Sequence, residues 1–265
     1  MTPPGPSELR RLLDLAVTAA EAGGRFTLEH FRSSGLGVDI KGDGSPVTVA
    51  DRGSERAIRE ILGKETPDYD ILGEEEGLDG GDAALRWVVD PIDGTVSFTR
   101  GIPCYGVLIG LREAATDRGL VGVLHLPALG ETYCAAVGLG AWCGTERMQL
   151  DPEVPAGRPG PILSAGDPNQ FTAAGLPDDY ARATGFSRYF RGYADCFGQA
   201  LALRGAVDAH IDPGLSAWDL GPTDILFAEA GGGYFCRPSL QGDGFDAVVG
   251  RRSIVDDVVA KLGWG

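Results

Sequence analysis

The nine residues Trp87-Val88-Val89-Asp90-Pro91-Ile92-Asp93-Gly94-Thr95 end an apolar run on two carboxylates three positions apart, followed by Gly-Thr. An apolar segment bounded in this way reads as a buried strand that stops on Asp90, bends at Pro91, whose ring fixes φ, and returns with Asp93. A turn alone accounts for Pro, Asp and Gly in such a string. The same residues also suit chemistry. An Asp at a strand end and a second in the turn can direct oxygens to one point, as hard divalent cations such as magnesium require. Gly94 and Thr95 then present backbone N–H groups at the start of a following helix, where a phosphate is favoured. The rest of the chain decides between the two readings.

Before this stretch the sequence predicts two helices. Ser7 is positioned to cap the first, in which Leu9, Leu12, Leu13, Ala16 and Ala20 recur at helical spacing; it resumes after Gly23-Gly24 towards Phe31. The second starts at Thr48, carries Ala50, Ala57, Ile58, Ile61 and Leu62, and is stopped before Pro67. Around and after the Asp pair come short apolar runs bounded by Gly, Pro or charge: YDIL, LRWVVD, CYGVLIGLRE, LVGVLHLP and ETYCAAV. These are strand signatures. The Pro- and Gly-rich LDPEVPAGRPGPILSAG segment suggests a boundary, dividing the chain into an α+β domain over 1–145 and a smaller α/β domain over 146–265. In the second, PILSA and AVDAHID read as strands, and GQALALRG and DLGPTDILFAEAGG as helices, the last stopped by Gly.

The whole chain has 265 residues, enough for a sizeable core, and 43% apolar residues, as in a soluble globule. A formal net charge of −15 argues against general affinity for nucleic acid or an anionic membrane, which both need clustered Lys and Arg. Cys104, Cys134, Cys143, Cys196 and Cys236 are an odd, scattered set without a Cys-x-x-Cys pair, and read as reduced, mostly buried thiols. With no signal-like N-terminus and no apolar run long enough to span a bilayer, the expected location is the cytoplasm.

Three more acids stand at helix starts or loops: Asp51, Glu74 and Asp219. Each has a structural explanation. Asp51 follows Thr48 by three residues and can complete a capping box. Glu74 belongs to the solvated run LGEEEG. Asp219, in SAWDLGPTD, can cap the helix after it. Singly these explanations suffice.

Jointly the positions carry a resemblance. Through GEE at 73–75, WVVDPIDGT at 87–95 and WD at 218–219, with KGDGSPVTVAD at 41–51 and EAGG at 229–232, the chain resembles the inositol monophosphatase family of magnesium-dependent phosphomonoesterases, over nearly its whole length. The resemblance implies a layered α-β-α-β-α sandwich, usually homodimeric, of the type shared with fructose bisphosphatases. It implies that Glu74, Asp90 and the Ile92 carbonyl ligate one magnesium, that Asp90, Asp93 and Asp219 hold a second, and that a third ion is sometimes present. Phosphate oxygens would complete the shells and accept N–H bonds from Gly94 and Thr95, near Asp93. Asp51 and Thr95 would position a metal-bound water for in-line attack, with Glu74 assisting its deprotonation. Two cations neutralise the developing charge and acidify the water, so no protein nucleophile is needed. His30, His125 and His210 are not required, and His210 reads as packing.

Two further acids bear on the substrate. Asp212 stands where inositol-cleaving relatives usually carry Glu, and Asp195, in YADCFG, replaces a small residue of their GSAA pattern. DCFG, with SFTRGIP at 97–103, resembles the histidinol-phosphate phosphatase branch. Two acids would suit a substrate bearing an amine and an imidazole, which points to histidinol phosphate and so to histidine biosynthesis. Against this, Asp195 can simply cap the helix CFGQALALRG. Arg191 is a further candidate for substrate binding or for contact with a neighbouring subunit. The alternatives are an inositol-1-monophosphatase or nucleotide 3′-phosphatase, disfavoured because an acidic pocket repels polyanions, and a noncatalytic role in a transcription complex.

Overall fold

The computed structural model describes residues 4–42, 44–158 and 160–265. Asp43, in the KGDGSPVTVAD stretch, Pro159, in the expected boundary segment, and the first three residues of the N-terminal arm lie outside the described set.

Helix α1 (Pro6–His30) leads into the ribbon β1 (Val38–Ile40) and β2 (Pro46–Thr48), and α2 (Val49–Glu65) follows. Then come β3 (Asp70–Gly73), β4 (Gly77–Asp79), β5 (Leu85–Asp93), the short α3 (Thr95–Thr99), β6 (Gly106–Glu113), β7 (Gly119–Leu126), β8 (Glu131–Ala136), β9 (Gly140–Cys143) and β10 (Glu146–Met148). The remainder contributes β11 (Ile162–Ala165), α4 (Pro168–Ala173), α5 (Asp179–Thr184), β12 (Tyr189–Gly192), α6 (Asp195–Leu203), β13 (Ala209–Leu215), α7 (Thr223–Glu229), β14 (Gly233–Pro238), β15 (Phe245–Gly250) and α8 (Arg252–Leu262). Eight strands form one sheet in the order β10-β9-β8-β7-β6-β5-β3-β4, and five form another in the order β12-β11-β13-β15-β14.

Strand alternation builds the layers. On β6, Val107, Ile109 and Leu111 point to a core shared with Leu12, Leu13 and Ala16 of α1 and Ile58 and Leu62 of α2. Leu108, on the opposite face, joins Ala200 and Leu203 of α6, Leu226 and Phe227 of α7 and Val249 of the second sheet. The far face of that sheet, with Leu163, Ala209, Ile211 and Val248, packs on Phe171, Ala183, Val255 and Val258 of α4, α5 and α8. The result is the α-β-α-β-α sandwich, in which α6 and α7 form the middle layer between two sheets.

Several boundaries differ from the sequence reading. Helix α1 begins at Pro6 with Gly5 as its cap and no side-chain capping bond, so Ser7 does not cap it; proline at the first position fixes φ and has no N–H to satisfy. The helix also runs unbroken through Gly23-Gly24. These glycines serve close packing: a Cβ on Gly23 would stand 2.7 Å from Ile58 Cδ1, and one on Gly24 2.6 Å from His125 Cδ2. Strand β5 does not stop on Asp90. Its pairing with β6 breaks between Asp90 and Asp93 and resumes at Asp93 opposite Gly106. Pro91 has no N–H for the ladder, and the Ile92 N–H turns to Asp90 Oδ1 at 3.0 Å. Asp219 is not the cap of α7, which starts after Pro222. Of the five free thiols only Cys196 is buried, and the other four are half-buried.

Candidate active site

The local irregularity in β5 is what aims its acids. Asp90 and Asp93 emerge on either side of Pro91, and Asp219 approaches from the loop before α7; carboxylate oxygens of the three lie within 4.8 Å of one another. Asp219 is held by the Ser216 N–H, which donates to its Oδ2 at 2.7 Å, and by Gln199 Nε2, which donates to its backbone carbonyl at 3.3 Å. Asp93 Oδ2 accepts the backbone N–H of Cys196 at the start of α6. Thus β5, α6 and the Asp219 loop meet at one point.

Burial raises all three carboxyls first, and the neighbouring acids add to it: Asp93 is pushed up to about 8 with Asp219 as its chief neighbour, and Asp219 up to about 7. Asp90, 2% exposed, is raised well above the carboxylate range by burial and then by Glu74, Asp93 and Asp219. Buried acids that crowd one another have too little positive charge nearby, and oxygen donors in this number are what a hard divalent cation takes. The residues fit such an ion.

Glu74, following β3, sits beside Asp90 and is raised by burial, then lowered by Lys41. Lys41 Nζ lies 2.7 Å from Glu74 and 2.6 Å from Glu75, so the turn of the ribbon before α2 sets a cation on these two acids. Asp51 reconciles both of its readings. Its Oδ2 accepts the Thr48 N–H at 2.8 Å and the Thr48 hydroxyl at 2.6 Å, while Thr48 Oγ1 accepts the Ala50 N–H at 3.0 Å. This is the capping box. Its other oxygen, Oδ1, is 3.2 Å from Thr95 Oγ1, which is also 2.9 Å from the Ile92 carbonyl. Gly94, between Asp93 and Thr95, takes φ +87°, the left-handed region that favours glycine. It also allows close approach: a Cβ there would stand 3.1 Å from Asp195 Oδ2.

Asp195 does not cap α6. Ala194 is the cap residue and no side-chain capping bond is made. Asp195 instead has φ +58°, rare for a residue with a side chain, and burial followed by Asp93, Asp212 and Asp167 drives its carboxyl well above the usual range. Asp212, on β13, is buried; its Oδ1 accepts from Gln170 Nε2, and its Oδ2 is 3.4 Å from His210 Nε2. His210 is packed inside with its Nδ1 2.9 Å from Ser164 Oγ. Arg191 lies exposed on edge strand β12 with Nη1 donating to the Phe190 carbonyl, and among the described residues no contact links it to the acids.

Sequence reasoning overlooked Lys41, Gln199 and the Cys196 amide. Gln199 had a readable signal: it follows Asp195 by four residues and so shares its helix face. Lys41 had a weaker one, a lone cation ahead of the TVAD box. The Cys196 amide had none, because a backbone donor has no residue type.

The profile of the Inositol monophosphatase family matches residues 8–255. The chain belongs to the inositol monophosphatase family. Among curated members, a Histidinol-phosphatase of Chlorobaculum parvum is 32% identical over 96% of this chain and 97% of its own, and one of Mycobacterium tuberculosis is 34% identical over 96% and 98%. An Inositol-1-monophosphatase of Mesorhizobium japonicum is 34% identical over 83% of this chain and 84% of its own. Inositol monophosphatase from Anabaena, a solved structure 26% identical, superposes with a TM-score of 0.78 over 97% of this chain and 96% of its own. Family membership makes the chain a phosphatase and accounts for the five-layer fold, and it leaves the substrate among several phosphate esters.

Proposed function

We propose that this phosphatase is a magnesium-dependent phosphomonoesterase that hydrolyses L-histidinol phosphate to L-histidinol and phosphate, as a cytoplasmic homodimer. Five free thiols suit a reducing compartment. Among the described residues, no helix is long and apolar enough to cross a membrane.

Glu74, Asp90, Asp93 and Asp219, with the Ile92 carbonyl, would hold the cations. When bound, such ions polarise a phosphoryl group and lower the pKa of water. The protein's own part is orientation. The Thr95 hydroxyl has one proton and two acceptors in reach, Asp51 Oδ1 and the Ile92 carbonyl. When the hydroxyl donates to the Ile92 carbonyl, Asp51 Oδ1 is left free to take a proton of the attacking water, and burial, which raises Asp51 first of all, makes that carboxylate a better base. Thr48 keeps Asp51 Oδ2 occupied, so only Oδ1 faces the water. Glu74 assists deprotonation, and Gly94 and Thr95 line the phosphate side.

The observation that carries the substrate is Asp195, whose left-handed backbone turns its carboxyl to within reach of Gly94, beside Asp93 and Asp212. An alcohol half with amine and imidazole supplies the positive charge and N–H donors such a place lacks; a polyanion does not. The histidinol-phosphatase names of relatives spanning nearly the whole chain support the same choice. A second reading, inositol phosphate, is favoured by the 34% identical inositol-1-monophosphatase. Measuring kcat/KM for phosphate release from histidinol phosphate, inositol 1-phosphate and adenosine 3′,5′-bisphosphate separates them. A clear preference for inositol 1-phosphate overturns the proposal.

A further inference from the structure

After Asp195, helix α6 is apolar except for one amide side chain, Gln199, which is 2% exposed. A buried amide costs free energy unless its donor and its acceptor are both answered, so its partners show what it is for. Gln199 Nε2 donates to the Asp219 carbonyl at 3.3 Å, and Gln199 Oε1 accepts the Thr223 hydroxyl at 2.9 Å. Thr223 is fully buried. The loop that carries Asp219 is held largely by its own backbone. The Ser216 N–H donates to the Asp219 carboxylate, the Trp218 carbonyl accepts the Gly221 N–H at 3.2 Å, and the Leu220 carbonyl accepts the Thr223 N–H at 3.0 Å. The Asp219 carbonyl lies between these two and is met by side chains instead: by Gln199, and by Thr223 Oγ1 at 3.4 Å.

That carbonyl decides which way the amide faces. A carbonyl only accepts, so the end of Gln199 turned to Asp219 is its NH2 group; the reverse would set Oε1 against the Asp219 oxygen. Thr223 has one hydroxyl proton, and giving it to Gln199 Oε1 leaves Gln199 as the donor to the carbonyl. Fixing the carbonyl fixes the peptide plane after Asp219, and with it the direction in which the Asp219 side chain leaves the backbone. Gln199 acts from the same helix that holds the neighbouring acid, since the Cys196 N–H, three residues before Gln199, donates to Asp93 Oδ2. Helix α6 thus grips Asp93 by its backbone and Asp219 by a side chain, and the second grip can be removed by substitution.

We propose that Gln199 is the positioning residue of the cation site: through the Asp219 carbonyl it sets the Asp219 carboxylate opposite Asp93 before an ion arrives, with Thr223 keeping the amide in its donating sense. This role rests on the metal reading given above. A carboxylate already in place costs nothing to order when the ion binds, so the contribution appears in magnesium affinity. Once bound, the ion holds the acid itself, and turnover at saturation changes little.

Calorimetric titration of magnesium into the full chain measures the first effect, and phosphate release against magnesium concentration the second. Gln199→Leu, which keeps the bulk and removes the amide, should bind magnesium about three- to tenfold more weakly, the worth of one hydrogen bond, with kcat at saturating magnesium within about twofold of wild type. Thr223→Val should lose at least about twofold in affinity, and Thr223→Ser, which keeps the hydroxyl, should bind nearly as wild type does; this pair carries the test if Gln199→Leu does not fold. Val258→Ala, in the far core under α8, is the control for stability alone. It should lower the melting temperature in EDTA and leave magnesium affinity unchanged. Equal affinity in wild type and Gln199→Leu overturns the proposal and leaves the metal centre standing. An equal loss in Val258→Ala also overturns it, making Gln199 a stability residue. Equal losses in Thr223→Val and Thr223→Ser overturn the part given to the hydroxyl. A wild type that takes up no magnesium overturns the metal centre and the proposal with it.

Discussion

Asp90 lies inside the layers with Glu74, Asp93 and Asp219 as acidic neighbours, and a carboxylate so placed is costly unless a cation answers it. Asp90→Asn removes one charge and keeps the shape. We expect kcat to fall at least about a hundredfold, since metal clamps supply several kcal/mol of transition-state stabilisation, while the metal-free variant melts above the metal-free wild type. Phosphate-release assays and melting curves in EDTA check both halves; near-normal turnover at limiting magnesium counts against the assignment. Thr95→Ala should slow turnover about 10- to 100-fold with magnesium affinity nearly unchanged, as expected for a group that only orients water. Asp195→Asn should raise KM for histidinol phosphate roughly tenfold, the worth of a charge-assisted bond, and leave hydrolysis of a neutral aryl phosphate almost unaltered. Equal damage to both substrates would make Asp195 structural. At this scale the sequence was legible wherever an acid type had to sit at a strand or loop end. It was silent on Asp195's backbone, because the left-handed φ arises from how α6 is docked, and on Lys41, whose reach to Glu74 depends on the path of the ribbon.

Strand β6 and the loop that follows Asp219 are in close contact at Gly110. A Cβ on Gly110 would stand 2.1 Å from the Gly221 carbonyl, which also accepts from Arg112. Gly110→Ala must therefore push the loop away. Overpacking of this kind costs about 1 to 3 kcal/mol, a fall in melting temperature of roughly 2 to 4 °C for each kcal/mol. Magnesium affinity should drop as well, because Asp219 travels with the loop; calorimetry on the purified variant reads that directly. Unchanged affinity would show the loop able to slide without moving its acid. The elements themselves were largely readable: apolar spacing found α1, α2 and the strands of the first sheet. Ends were less so. Gly23 and Gly24 read as a break because local propensity carries no information about Ile58 and His125 pressing on the helix. Proline at 91 read as the end of β5, although pairing recovers two residues later, opposite Gly106.

Across the molecule the acids make stability a function of pH and of metal. Asp93 and Asp219 have pKa values raised from 3.8 to about 8 and about 7. A raised carboxyl means the folded state holds more protons than the unfolded one between these values, so metal-free stability is greatest at low pH and is lost as pH climbs through 7 to 8. Urea unfolding in EDTA at about pH 5.5 and about pH 8.5 should give a lower midpoint at the higher pH, and saturating magnesium should remove most of the difference. A flat profile would mean the cluster is not strained without its ions. The layer order was legible only through the family resemblance, since nothing in a strand's own residues says which sheet it joins; Val249 and Leu108 share a core that only the folded chain reveals. The same middle layer has a consequence for synthesis. The first acids of the site leave the ribosome well before α6, which orders Asp93 through its Cys196 amide, and before Asp219. A chain that ends before Asp219 has Asp90 and Asp93 without the third carboxylate of the cluster, so under the proposed metal reading it would hold no complete cation site.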